Sequence, residues 1–253
     1  MKIDILTLFP DMFLPVTGQS ILGRAVESGL LEMRIMNIRD HTKDKHKKTD
    51  DTPYGGGAGM ILSPQPVFDA LRSIDAQHKR KIYMSPRGRL LDQALISELS
   101  KEEELVILCG HYEGVDQRIL DAWEMEEVSI GDYILTGGEL ACMVLIDTVA
   151  RLIPDVLGNE GAHLEESIYS GLLEYDQYTK PREYEGLTVP EVLFNGNHKL
   201  IRLWQWESAL RHTLRRRPDL LRAFLNRSFN LPKDQKQILK KVLDQEPLLE
   251  EEE

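Results

Sequence analysis

The sequence predicts an α/β protein built on a parallel sheet, followed by a smaller, all-helical C-terminal domain. Three observations carry this. Short apolar runs alternate with segments of helical periodicity up to about residue 153. After Pro154 the strand-like runs stop, and from Pro190 only helical patterns return. Three successive apolar runs end in glycine-rich turns, as strands do in open α/β sheets whose ligands lie beyond their carboxyl ends.

Residues 2–9 alternate as a strand, 11–28 carry apolar positions at helical spacing, and LEMRIMNI (31–38) alternates again. Residues 40–60 have no period and end in DDTPYGGGAGM, too rich in glycine for a regular element. A helix over 65–74, a strand at RKIYMS (80–85), a helix through LLDQALISELS, a strand at LVILCG (105–110) and a helix after EGVD continue the series. The next strand is expected within SIGDYILTGGELA (129–141), with Ile134 and Leu135 in the sheet core, and an apolar helix from Glu139 to Ile153 follows. Residues 155–186 are polar and aperiodic, the pattern of a mobile linker. Helices are expected near 197–216, 218–226 and 232–244. The division taken is an α/β domain over 1–157, a linker over 158–170 and a helical domain over 171–253.

At 42% hydrophobic and 29% charged the chain can bury a core, and no apolar run approaches the ~18 residues of a membrane helix. With no cleavable leader in MKIDILTLFP, the expected location is the cytoplasm, with no membrane partner. Cys109 and Cys142 lie in apolar runs and read as core residues. The net charge of −11 argues against a surface coated for nucleic-acid binding, so the distribution of charge matters more. HTKDKHKK (41–48) is basic, and HKLIRLWQWESALRHTLRRR (198–217) sets six Lys/Arg against Glu207. Such a helix is a solvated face or the seat of an anionic partner. Trp204 and Trp206 read as core of the small domain rather than as stacking platforms for bases.

The glycine turns are YMSPRG (83–88), CGHYEG (109–114) and IGDYILTGG (130–138). Glycine there leaves backbone bare for a ligand to approach. No G-x-G-x-x-G follows a strand, and no P-loop, H-E-x-x-H or C-x-x-C is present. No metal site is legible. The expected ligand is a small molecule held mainly by backbone.

PYGGGAGM, YMSPRGRLLDQ, CGHYEGVDQR, SIGDYILTGGELA and VPEVLFNGNH together resemble the bacterial tRNA (guanine-N1)-methyltransferase family, TrmD, of the SPOUT class. The resemblance runs from IDILTLFP to about residue 244. It implies that the strand ends form a deep trefoil knot, and that the knotted loops bind S-adenosylmethionine. Carried over by position, the cofactor residues are Tyr83, Met84, Ser85 and Pro86, then Gly110, Tyr112, Glu113 and Gly114. The third loop adds Ile130, Gly131, Asp132, Tyr133, Ile134, Leu135, Gly137 and Gly138. Glu113 is a candidate for screening the cofactor's sulfonium charge.

The resemblance also implies a homodimer acting on tRNA, not DNA, with guanosine at positions 36 and 37, and N1 of guanosine 37 as the methyl acceptor. One chain would give the knot and the other the C-terminal domain. N1 of neutral guanine carries a proton, so methylation needs a base near N1 and a cationic or hydrogen-bonding group near O6. Arg151 matches the family's O6-side arginine. The family's aspartate base, in an Asp-Ser-Phe run, falls on Glu166-Ser167-Ile168, so Glu166 replaces it with one more methylene, and Glu165 is the alternative. Asp50, Gly59 of the PYGGGAGM loop, and Lys180, where the family has arginine, are implied tRNA contacts. Mg²⁺ dependence is suggested without ligands being named. Two other readings stand beside this one: a knotted methyltransferase acting on a ribose 2′-oxygen, and a non-catalytic RNA-binding protein that keeps the fold.

Overall fold

The computed structural model describes residues 1–158, 170–226 and 231–246. The expected linker therefore lies, save for Gly158 and Ser170, outside the described residues. The chain divides into two compact units, Met1–Glu160 and Gly161–Glu253.

In the first unit the chain runs through β1 (Lys2–Thr7), α1 (Leu14–Thr17), α2 (Ser20–Glu27), β2 (Glu32–Asn37), β3 (Asp50–Asp51), β4 (Ile61–Leu62) and α3 (Pro64–Ser73). It continues through β5 (Arg80–Leu90), α4 (Gln93–Leu99), β6 (Glu104–Cys109), α5 (Gln117–Trp123), β7 (Glu126–Ser129) and α6 (Glu139–Ala150). Five strands form one parallel sheet in the order β2-β1-β6-β5-β7. Period-two alternation decides which face each side chain covers. Ile3 and Ile5 of β1, Ile82 and Met84 of β5, and Leu105, Ile107 and Cys109 of β6 join one core, together with α4 and α6. Leu6, Tyr83, Val106 and Leu108 face the other, packed under α3 and α5. Both free cysteines are buried, and burial, then the neighbouring Cys142, pushes the Cys109 thiol up.

Three departures from the sequence pattern have local causes. The helical stretch 11–28 is interrupted, because Gln19 is extended and Ser20, the first residue of α2, takes φ 55°. SIGDYILTGGELA is not a strand: β7 stops at its first residue, and Ile134 is 80% exposed. The Ser129 hydroxyl is the reason. It donates to the Gly131 carbonyl and accepts the Gly131 N–H, both at 3.2 Å, and so draws the backbone out of the ladder. β5 runs five residues beyond the expected end, and its pairing with β7 shifts register between Met84 and Arg89.

The second unit holds α7 (His198–Arg216), α8 (Pro218–Asn226) and α9 (Lys233–Gln245) around Leu172, Leu210, Leu214, Leu221, Phe224 and Val242. Trp206 belongs to this core: its ring lies 5.8 Å from Phe224, and its indole N–H donates to the Gln235 carbonyl at 3.3 Å. The unit is not purely helical. β8 (Glu183–Tyr184) and β9 (Leu187–Thr188) pair antiparallel around Glu185 and Gly186, whose φ of 52° and 81° suit a two-residue hairpin turn.

Candidate active site

The part of β5 from Tyr83 onward and the loops leaving β6 and β7 enclose a cavity of about 410 Å³. Its walls include Tyr83, Met84, Ser85 and Pro86 of the first motif, which the structure places within β5, and Gly110, Tyr112, Glu113 and Gly114 of the second. The third contributes Ile130, Gly131, Tyr133, Ile134, Leu135, Gly137 and Gly138. Asp132, expected with them from the sequence, is exposed and is not among the residues lining the cavity. Arg87, His111, Gln117, Thr136 and Ala141 line it and were not singled out. Four of these stand in or beside the glycine turns, but Ala141 could be found only by placing the start of α6, whose first turn closes the cavity.

Backbone contacts hold the loops together. The Gly138 N–H donates to the Gly110 carbonyl at 2.8 Å, and His111 pairs with Gly137 in an antiparallel bridge. A Cβ on Gly138 would stand 2.9 Å from both the Cys109 Cα and the Gly110 nitrogen, so no other residue fits without moving β6. The same test at Gly137 refines the sequence reading. Its Cβ would strike the Glu139 carboxylate and come within 2.9 Å of His111 Nδ1, so the bare backbone here serves protein packing as well as the cavity. The Tyr83 ring packs beneath Gly110, and burial, with the nearby Glu127 carboxylate adding to it, pushes its phenol up. The second loop is braced from outside: the Glu113 N–H donates to the Met60 carbonyl at 3.0 Å, and its side chain lies against Gly59.

The remaining expected residues are more scattered. Asp50 pairs with Leu62 in the β3–β4 ladder, and Lys180 is exposed in the second unit. Arg151 caps the far end of α6, its N–H bonded to the Asp147 carbonyl at 3.3 Å, and is not among the residues lining the cavity. From Ala141, which lines the cavity, to Arg151 the helix rises about 15 Å at 1.5 Å per residue. Glu165 and Glu166 lie outside the described residues. Among the described residues no group of three or more His, Cys, Asp or Glu side chains is placed to hold a metal ion, and no helix is long and apolar enough to cross a membrane.

The basic segments are largely neutralised at home. Lys43, Lys47 and Lys48 pair with Asp69, Asp40 and Asp51. On α7, Arg211 and Arg215 share Glu246, Lys199 pairs with Asp234, and Arg217, just past the helix, pairs with Asp219.

Five parallel strands with a ligand-sized cavity at the carboxyl ends of three neighbours define an α/β protein of the kind that binds small molecules at its strand ends. Residues 1–223 match the family described as tRNA (Guanine-1)-methyltransferase TrmD, and the chain belongs to that family. The tRNA (guanine-N(1)-)-methyltransferase of Ruminiclostridium cellulolyticum is 53% identical over 231 residues, covering 90% of this chain and 99% of its own. The enzyme of the same description from Exiguobacterium sp. is 55% identical over 221 residues, covering 87% and 92%. That of Clostridium perfringens strain 13 is 54% identical over 221 residues, covering 87% and 93%. Membership carries the activity: methyl transfer to N1 of a guanine in tRNA.

Proposed function

We propose that the chain methylates N1 of guanosine 37 in tRNA with S-adenosylmethionine held in the glycine-walled cavity. The observation that carries this is the convergence of all three motif loops on one cavity, of a size within the range of small-molecule sites. The chemistry of the walls fits an adenosyl group, with Ile130 and Leu135 as flat apolar contact beside open loop backbone. Bound there, the cofactor supplies an electrophilic methyl group on a sulfonium centre. Glu113, on the cavity wall, places a carboxylate where it screens positive charge.

Guanosine 37 sits in a single-stranded loop, so turning it out of the stack costs little. Glu166 takes the N1 proton as the bond to the methyl group forms, and Arg151 meets the negative charge that develops at O6. The length of α6 supports a homodimer in which Arg151 serves its partner's cavity. So does apolar exposure: α6 exposes Leu140 and Val144 one turn apart, and Phe9, Met12 and Leu14 are also exposed. We also infer that the loops after β5 and β7 are threaded as a trefoil knot, in keeping with the doubled pairing of those strands. The second unit is assigned to the anticodon stem, where Arg202 and Arg216 of α7, which make no ion pair among the described residues, would face phosphates. Among the described residues no group of three or more His, Cys, Asp or Glu side chains is placed to hold Mg²⁺.

The test is incubation with labelled cofactor and a tRNA transcript carrying guanosine at 36 and 37, followed by nucleoside analysis. 1-Methylguanosine is the expected product. Label on a ribose oxygen, or none, overturns the assignment.

A further inference from the structure

Glu139 is an acidic residue buried to 2% exposure at the first turn of α6, behind the cavity wall that its neighbours Gly138 and Ala141 line. One oxygen accepts the hydroxyl hydrogen of Thr7, itself fully buried at the end of β1, at 2.8 Å. The Thr7 oxygen in turn accepts the Phe9 N–H at 2.9 Å. The other carboxylate oxygen and His111 Nδ1 both crowd the point where Gly137 lacks a side chain. His111 Nδ1 is buried and has no hydrogen-bond partner, although its ring is held against Phe9 and Tyr112 with centroids 4.9 Å away in each case. A buried polar nitrogen without a partner is costly, and the Glu139 carboxylate stands across that point from it, beyond hydrogen-bond distance.

Resting on the cofactor site proposed above, we propose that His111 and Glu139 are positioning residues: when an adenosyl ligand fills the cavity, His111 donates its Nδ1 hydrogen to Glu139. The bond ties three strand ends to one carboxylate, with Thr7 from β1, His111 from the second loop and Gly137 at the turn into α6. It also selects the histidine tautomer, putting the hydrogen on Nδ1 and leaving Nε2 as an acceptor. The N-terminus of α6 favours a negative group at Glu139, which strengthens the bond.

Two side-chain replacements separate this role from mere packing. In His111→Asn the amide can occupy the place of Nδ1, whereas in His111→Gln it reaches towards Nε2. Calorimetry with S-adenosylhomocysteine should find His111→Asn within about threefold of the parent and His111→Gln weaker by about tenfold or more, the scale of one charge-assisted hydrogen bond. Nitrogen-15 spectra of histidine-labelled parent protein, with His111 assigned by its loss in His111→Asn, should show the Nδ1–H tautomer in the bound state. Equal affinities for the two variants, the reverse order, or an Nε2–H tautomer in the complex overturns the inference. Failure of the parent to bind S-adenosylhomocysteine at all is a different result, and removes the cofactor site itself.

Discussion

In Met1–Glu160 a parallel sheet is buried on both faces, and the cavity at its edge is shaped by backbone contact: glycines with no room for a methyl group, carbonyls and amides bridging loops. In Gly161–Glu253 six buried side chains make the core among the described residues, and the helices are laced by ion pairs, with Arg211 and Arg215 of α7 both fixed on Glu246 beyond α9. The difference is one of vulnerability. A site walled by steric exclusion fails at a single added carbon. A small core supported by exposed charge tolerates added carbons on its surface and responds to the solution around it.

The largest effect should come from adding that carbon. Gly137→Val drives its side chain into Glu139 and His111, and calorimetry should detect no S-adenosylhomocysteine binding while circular dichroism shows the sheet retained. Unchanged affinity would mean that the third loop is not the steric device described. The same variant then tests the arrangement across subunits. Alone, Gly137→Val and Arg151→Ala chains should both be inactive, but a mixed dimer joins an intact cavity on one chain to an intact arginine on the other. Methyl transfer in verified heterodimers should rise from zero towards half the parent rate. A persistent zero puts Arg151 to work in its own chain's cavity, against the length of α6.

Glu166→Gln should lower kcat by roughly 10²–10⁴ in single-turnover assays with cofactor affinity little changed, the range for loss of a general base. Glu166→Asp should keep most of the rate. A Gln variant within a few-fold of the parent shifts the role to Glu165 or water.

The smallest effect belongs to the second unit. The Arg215 guanidinium holds the Glu246 carboxyl below its ordinary value, Lys199 does the same for Asp234, and Arg217 for Asp219. Folded values below the unfolded ones mean that this stabilisation is complete above the unfolded carboxylate range near 4 and is lost as pH falls through the folded values. Acidification below about pH 4 weakens the sheet's own paired carboxylates too, Glu98, Glu104 and Asp116 among them, so it is the smaller core of this unit that should make it loosen first. Fluorescence of Trp204 and Trp206 in a Trp123→Phe background should move first, ahead of the circular dichroism of the whole chain. Coincident transitions would show that the two units unfold together.

Much of this was legible in the sequence because the signals were local. Alternation locates β1, β2 and β6 within a residue or two, and the helical period locates α7 to α9 as closely. The three cavity loops were legible as contiguous motifs, so nearly every residue named in them lines the cavity. What escaped depends on partners that no window contains. Ile134 looks like a strand residue until the Ser129 hydroxyl turns the backbone away. Glu139 reads as an ordinary first-turn acid, and only the fold sets it against Thr7, 132 residues earlier. The β8–β9 hairpin was missed because Glu185 precedes its turn glycine where Asn or Asp would have announced it.

The double pairing of Val128 has a consequence in time. It stands opposite Met84 and again opposite Arg89, so the segment between them must loop out around a strand that the chain supplies about forty residues later. During synthesis residues 85–90 emerge with nothing to pair against, and the first wall of the cavity acquires its shape only once β7 has docked beside β5. The cavity thus waits on the last strand of the sheet: an incomplete chain ending before Val128 would hold four strands of the parallel sheet and every residue of two motifs, yet lack the third wall.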